Sequence, residues 1–178
     1  LEFVLVEANP GMESRQREHL AQHQRSCDPF RHLPLRWASL SELKNQPVIG
    51  IFIAHELLDS FPVERLVLMN GRLHRQTVES VPIGNGVGGL GWGTELISQE
   101  LQQRINSTLS SMRISLPPNG AEDRWTTEWH DQCAGWFAEA SEALLFGHLL
   151  VVDYALEAER DYSLQRSQGT LIAYRNQQ

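Results

Sequence analysis

The sequence predicts an α/β protein with a partly parallel sheet, and three observations carry that expectation. Leu1 to Val6, Val48 to Ala54 and Leu149 to Val152 are apolar runs too short for helices. Each run is followed within two residues by a carboxylate, at Glu7, Glu56 and Asp153. Helix signals lie between the runs, which gives the alternation strand, helix, strand, strand, helix, strand.

Leu1 to Val6 reads as a buried strand that stops at Glu7-Ala8-Asn9-Pro10. Asn9 suits an N-cap and Pro10 the first helical position, where a missing N–H costs nothing, so a largely polar helix follows from Met12 to about Gln24. Pro29 and Pro34 mark a loop before a brief strand at Leu35 to Ala38. Val48 to Ala54 is the strongest strand signal, an uncharged run expected in a sheet covered on both faces. Asn70-Gly71 between Leu66–Met69 and Leu73–Val81 predicts a hairpin with a type I′ turn. Residues 84 to 93 carry six glycines and read as a flexible loop. Thr94 is the expected cap of a helix with the stripe Ile97, Leu101, Ile105, Leu109 and Met112. A second helix is expected from Thr126 to Phe146, burying Trp125, Trp129, Cys133, Trp136, Ala140 and Leu144, and Gly169 to Tyr174 reads as a last short strand. The segments divide as 1–65, 66–125 and 126–178, within one domain.

At 178 residues, 41% hydrophobic, the chain can build one sizeable core. Its formal charge of -7 argues against a broad phosphate-binding surface, and so against nucleic acid as partner, and would tolerate a cationic protein segment. Cys27 and Cys133 lie far apart without a metal-binding or disulfide pattern, which suits a reducing compartment such as a bacterial-type cytoplasm. No apolar run approaches the roughly 18 residues that span a bilayer, so no membrane insertion is expected. His19 and His23, four apart on a polar helix, have no acidic third ligand at a metal-binding spacing, and no metal is expected.

Ligands of open α/β sheets bind beyond the carboxyl ends of the strands. Glu7 is placed to accept both hydroxyls of a ribose; equally, it can be a helix-start charge answering the local dipole. Glu56 and Asp59, three apart, would share one side of a helical turn and could grip a guanidinium, or else cap the short helix that Pro62 ends. Gly84-x-Gly86-x-x-Gly89 fits a dinucleotide pattern but follows a hairpin instead of a first parallel strand, and is rejected as a cofactor loop.

His55-Glu56-Leu57-Leu58-Asp59-Ser60-Phe61-Pro62-Val63 resembles the Asn-Glu-hydrophobic-hydrophobic-Asp-Ala-hydrophobic-Pro-Val signature of MidA-like methyltransferases, proteins associated with assembly of respiratory complex I. Val6-Glu7-Ala8-Asn9-Pro10 with Arg15-Gln16 is similar to that family's Glu-x-Ser-Pro…Arg-x-x-Gln stretch. Arg36-Trp37-Ala38-Ser39-Leu40, Gly147 to Tyr154 and the Gly169-Thr170-Leu171 motif resemble later segments in the same order. His55 stands where the family has Asn, and Ala155 where it has Gly. The resemblance implies a partial doubly wound Rossmann-like methyltransferase sheet with a β-hairpin and helical insertion. It lacks the first strand and the Gly-x-Gly loop that precede the Glu7 segment, as an excised or truncated piece would. It implies S-adenosylmethionine as cofactor, with Glu7 on the ribose, Ser39 and Leu40 beside adenine, and His55 and Glu56 facing the methionine part. Asp59 would meet an incoming guanidinium, with Glu56 and Asp59 as the catalytic pair. The implied function is methylation of a protein arginine on a respiratory complex I-type subunit. The alternatives are a cofactor-free protein-binding or assembly module of the same descent, and a domain binding another nucleoside. The missing strand belongs between those ending at Glu7 and Ala54, so these two are expected to pair directly, or to meet a second copy in a homodimer.

Overall fold

The computed structural model describes residues 1–23, 34–83, 86–173 and 175. They form mixed α/β structure in two compact units, 1–57 with 133–153, and 58–132 with 154–178. Cys27, Pro29 and Tyr174 lie outside the described residues.

The first unit contains strands β1 (Phe3–Val6), β2 (Leu35–Ala38), β3 (Val48–His55) and β8 (Leu144–Val152), with helices α1 (Pro10–His23), α2 (Leu40–Asn45) and α4 (Cys133–Glu142). α1 starts as its sequence dictates: Asn9 Oδ1 accepts the N–H groups of Gly11 at 2.9 Å and Met12 at 3.2 Å. β1 and β2 run parallel, in register from Phe3 opposite Leu35 to Val6 opposite Ala38. β3 and β8 form a second parallel pair that ends with His55 opposite Val152. The buried residues Ala38, Leu43 and Ala143, packed by Val4, Leu40, Val48 and Phe52, join the two pairs through side chains. Phe52 meets Trp136 edge to face at 6.3 Å, the arrangement favoured by the ring quadrupoles.

The expected direct pairing of the strands ending at Glu7 and Ala54 does not occur. β1 and β3 lie in separate two-stranded sheets, so each keeps an unpaired edge among the described residues. β3 is also not covered on both faces. Ile49, Ile51 and Ile53 alternate along one side at 72, 67 and 64% exposure, whereas Ala54 on the other side is buried. The composition suits a two-sided cover that the described residues supply on one side only.

The second unit is an antiparallel sheet ordered β6-β5-β4-β7, from β4 (Glu64–Met69), β5 (Arg72–Ile83), β6 (Gly86–Leu96) and β7 (Thr126–Trp129). Asn70 and Gly71 have φ of 50° and 72°, the left-handed pair that a type I′ turn requires, which forms the expected hairpin. Helix α3 (Gln99–Ser110) places Leu101, Ile105 and Leu109 against Leu66, Leu68, Leu73, Ile97, Trp125 and Trp129. A four-residue helix, α5 (Ala158–Asp161), follows β8.

Four expectations are corrected here. The flexible loop at 84–93 is strand β6 from Gly86 onward, paired with β5 over Ile83 to His74; a glycine-rich segment can lie beside a long strand because its bare positions accept the neighbour's side chains. Thr94 therefore lies within a strand, and Ser98 caps α3 by accepting the Leu101 N–H at 3.2 Å, while Met112 falls beyond the helix and is exposed. The helix expected over 126–146 divides into β7, α4 and the start of β8. Trp125 and Trp129 serve the second core, and Trp136 packs in the first unit. The β-branched Thr126 and Thr127 pair with β4 and override the helical spacing. Gly169 to Ala173 forms no strand; Gln168 makes a single parallel bridge with Thr126.

Ile105→Ala is expected to cost about 3 kcal/mol of stability, as for a buried aliphatic side chain whose site cannot fully collapse. Ile51→Ser on the exposed face should stay within about 0.5 kcal/mol. Urea unfolding followed by tryptophan fluorescence separates the two cases.

Candidate functional site

Glu7 follows β1 and Ser39 follows β2, at the same end of one parallel pair. The Glu7 carboxylate is oriented from two directions: Oε1 accepts the Asn9 N–H at 2.9 Å and Oε2 accepts Gln16 Nε2 at 3.0 Å. Gln16 in turn accepts Trp37 Nε1 at 2.9 Å, so β1, α1 and β2 are tied by one chain of hydrogen bonds. This arrangement realises the helix-start role considered for Glu7 and does not exhaust it. A carboxylate offers about four acceptor positions, and two partners leave capacity for two hydroxyls. In the sequence Gln16 and Trp37 stand only as letters of two separate motifs; their link to Glu7 needs the third dimension.

Ser39 is engaged as a cap. Its Oγ accepts the Glu42 N–H at 3.1 Å and donates to Glu42 Oε2 at 2.9 Å, while its own N–H donates to Glu42 Oε2 at 2.7 Å. This is a closed capping box, written in the sequence as Ser39-x-x-Glu42. The Ser39 backbone N–H, then its hydroxyl, hold the Glu42 carboxyl below the usual range, with partial desolvation opposing and Arg36 adding a smaller pull. Leu40 packs on the Ala38, Leu43 and Ala143 cluster.

The second parallel pair ends in His55 and Val152, followed by Glu56 and Asp153. His55 and Glu56 are exposed. Glu56 has φ of 47°, a left-handed conformation that non-glycine residues rarely adopt, and its N–H donates to Val152 O at 2.9 Å. Strain of this kind clusters where a side chain must be aimed. The shared helical turn expected for Glu56 and Asp59 does not form: Asp59 lies in the three-residue 3₁₀ turn Leu58–Ser60, and Glu56 lies before it with a backbone of the opposite hand. Cys133, at the start of α4, has its thiol pushed up by burial first and by Asp153 second.

A further cluster, which the sequence did not single out, lies in the second unit. Glu128 is buried on β7, receives Arg65 on one oxygen, and on the other accepts the Thr170 N–H at 2.6 Å and Thr170 Oγ1 at 3.0 Å. Arg65 also donates to Gln76 at 2.7 Å and to Gln168 O at 3.0 Å. A buried charge with this many partners fastens the Gly-Thr-Leu segment to β7. The helical reading of 126–146 concealed it.

Comparison with known proteins gives a consistent picture. A family model described as "Putative S-adenosyl-L-methionine-dependent methyltransferase" matches residues 1–178. A COG1565 superfamily member from Burkholderia thailandensis, solved bound to S-adenosyl-homocysteine, superposes with a TM-score of 0.69 at 21% identity, over 95% of this chain and 38% of that one. A native structure of a COG1565 superfamily protein from the same organism gives a TM-score of 0.70 at 21% identity, over 95% and 40%. At this identity the likeness concerns the fold, and the chain spans about two-fifths of the length of either structure. No curated protein matches the chain significantly.

Two titrations test the local chemistry. The folded Glu42 value lies below the unfolded one, so the capping-box stabilisation is complete above the ordinary carboxylate range and is lost as pH falls through the lowered value. In Ser39→Ala the Glu42 midpoint, followed by NMR, should rise part of the way toward an ordinary glutamate, because the backbone donor remains. In a Cys27→Ser background, iodoacetamide should alkylate Cys133 with a pH midpoint above that of an ordinary cysteine, and Asp153→Asn should lower that midpoint.

Proposed function

Since the chain belongs to the S-adenosyl-L-methionine-dependent methyltransferase family whose model spans it, we propose that it is part of a MidA-like protein arginine methyltransferase acting on a respiratory complex I-type subunit. The observation that carries this reading is the Glu7 carboxylate, aimed from the end of β1 by Asn9 and Gln16 with acceptor capacity to spare. That acceptor set fits the two hydroxyls of the cofactor's ribose. A capped helix start at Ser39 and the apolar Leu40 beside it suit an adenine edge, with contacts through backbone and side-chain carbon because the Ser39 hydroxyl is already engaged. His55 and Glu56 take the methionine side in this proposal, and the left-handed backbone of Glu56 is the means of aiming it.

S-adenosylmethionine, when bound, supplies a methyl group on a positively charged sulfur. An arginine acceptor remains protonated in proteins, so a carboxylate is needed to orient the guanidinium, stabilise its charge and receive the proton released as the nitrogen gains the methyl; Glu56 is assigned to that role, and Asp59 stays a candidate on the family resemblance alone. A second reading, a cofactor-free assembly module, is favoured by the exposed apolar side of β3 at Ile49, Ile51 and Ile53 among the described residues.

Calorimetric titration of this chain with S-adenosyl-homocysteine separates the two. The methyltransferase reading expects binding that Glu7→Gln weakens roughly tenfold or more, the worth of a hydrogen bond to a charged group. Binding indifferent to Glu7 would remove the ribose assignment, and no binding by the unaltered chain would make residues 1–178 a fragment or an assembly module, with cofactor binding left to other residues.

A further inference from the structure

The two edges of the four-stranded sheet are treated differently. Beyond β7, the chain covers its own edge: Thr126 bridges Gln168, the Thr126 N–H reaches Ser167 O at 2.9 Å, and Thr170 is held on Glu128. β6, at the other edge, has no further strand beside it among the described residues. It is eleven residues long and contains no lysine, arginine or proline, the residues by which natural edges discourage pairing.

Its two faces are unlike. Leu90 and Trp92 stand 81 and 62% exposed on one side, level with Ser80 and Val78 of β5. On the other side β6 presents Gly91 and Gly93, and side chains of β5 occupy the space where side chains of β6 would be. A Cβ on Gly91 would lie 2.7 Å from Val81 Cγ1, and one on Gly93 would overlap the Glu79 carboxylate and approach Thr77 Oγ1 at 2.6 Å. Glu79 is paired with Gly91, yet its carboxylate lies over Gly93, so a negative charge has been carried one strand outward, onto the edge strand. The neighbouring Glu95 is neutralised by Arg75 at 2.7 Å; Glu79 has no ion pair among the described residues and makes a long contact with Thr77 Oγ1 at 3.5 Å.

We propose that β6 is a docking edge for an extended segment of another protein, added as a further strand. It would carry arginine or lysine on the glycine side, beside Glu79, and apolar side chains on the side of Leu90 and Trp92. Backbone groups of β6 supply the ladder, and alternate side chains supply the selectivity. A cationic occupant is favoured over a second copy of this chain, because β6 paired with itself about a two-fold axis would bring two Glu79 carboxylates onto one ribbon. This inference does not depend on cofactor binding.

The test is fluorescence anisotropy of this chain with a labelled peptide of alternating valine and arginine long enough to span β6. Two altered peptides serve as controls, one with glutamate for arginine and one N-methylated along the pairing edge. The arginine peptide is expected to bind, Glu79→Gln to weaken it about tenfold, and both altered peptides to lose binding on the unaltered protein. Binding that survives N-methylation would overturn strand addition. Equal binding of the glutamate peptide would overturn the charge assignment. Absence of binding at millimolar peptide, or a concentration-dependent dimer in sedimentation that the peptide does not dissociate, would overturn the proposal.

Discussion

A parallel strand pair has two edges and two faces, and backbone hydrogen bonds satisfy only one side of each strand. The first unit holds two such pairs, and what joins them is side-chain packing around Ala38, Leu43 and Ala143. No ladder runs between β1 and β3. The placement of every strand-end residue in that unit rests on this small contact, because Glu7 and Ser39 belong to one pair and Glu56 and Asp153 to the other. Two of the three central residues are alanines, so the cluster buries little apolar area for the number of elements it holds.

The second unit is built the opposite way. Its sheet is continuous, its core contains Leu66, Ile105 and Leu109 fully buried, and the buried Glu128 carboxylate has a cation and two further donors. Such a unit has little need of outside support on its packed face. The contrast matters for the methyltransferase family to which the chain belongs. The unit that carries the candidate strand-end residues has the thinner core, and the unit most distant from a plain α/β pattern is the better consolidated.

What could be read from the sequence followed from how local each determinant was. Asn9-Pro10 and Asn70-Gly71 act on the backbone immediately around them, and both formed as written. The stripe Leu101, Ile105 and Leu109 is local to one helix and was legible; its cap was misplaced by four residues because Thr94 and Ser98 are equally good acceptors and pairing with β5 decided between them. The spacing of Trp125, Trp129, Cys133 and Trp136 matched a helix face, yet these residues divide between two cores, a distinction available only from partners far along the chain. Strand β6 was the hardest to see. Its pairing depends on bare positions that receive Val81 and Glu79, and composition alone made it a loop. Of the candidate site, the strand-end acids were legible. The partners that give the geometry, Gln16 behind Glu7 and Glu42 behind Ser39, were less so, and only Glu42 had a sequence signature.

The register of β3 on β8 has a consequence for synthesis. Val48 lies opposite Leu144, and everything from β4 to α4 is made between them. As the chain emerges from a ribosome, Ile49, Ile51 and Ile53 meet β8, their partner strand among the described residues, only after residues 58–132 of the second unit have been translated. That unit is not finished first either, since Ser167, Gln168 and Thr170, which close its β7 edge, follow β8. Neither unit can be completed and set aside during translation. The residues after Cys133 complete both, so a nascent chain shortened at its end loses a sheet partner in one unit and an edge closure in the other.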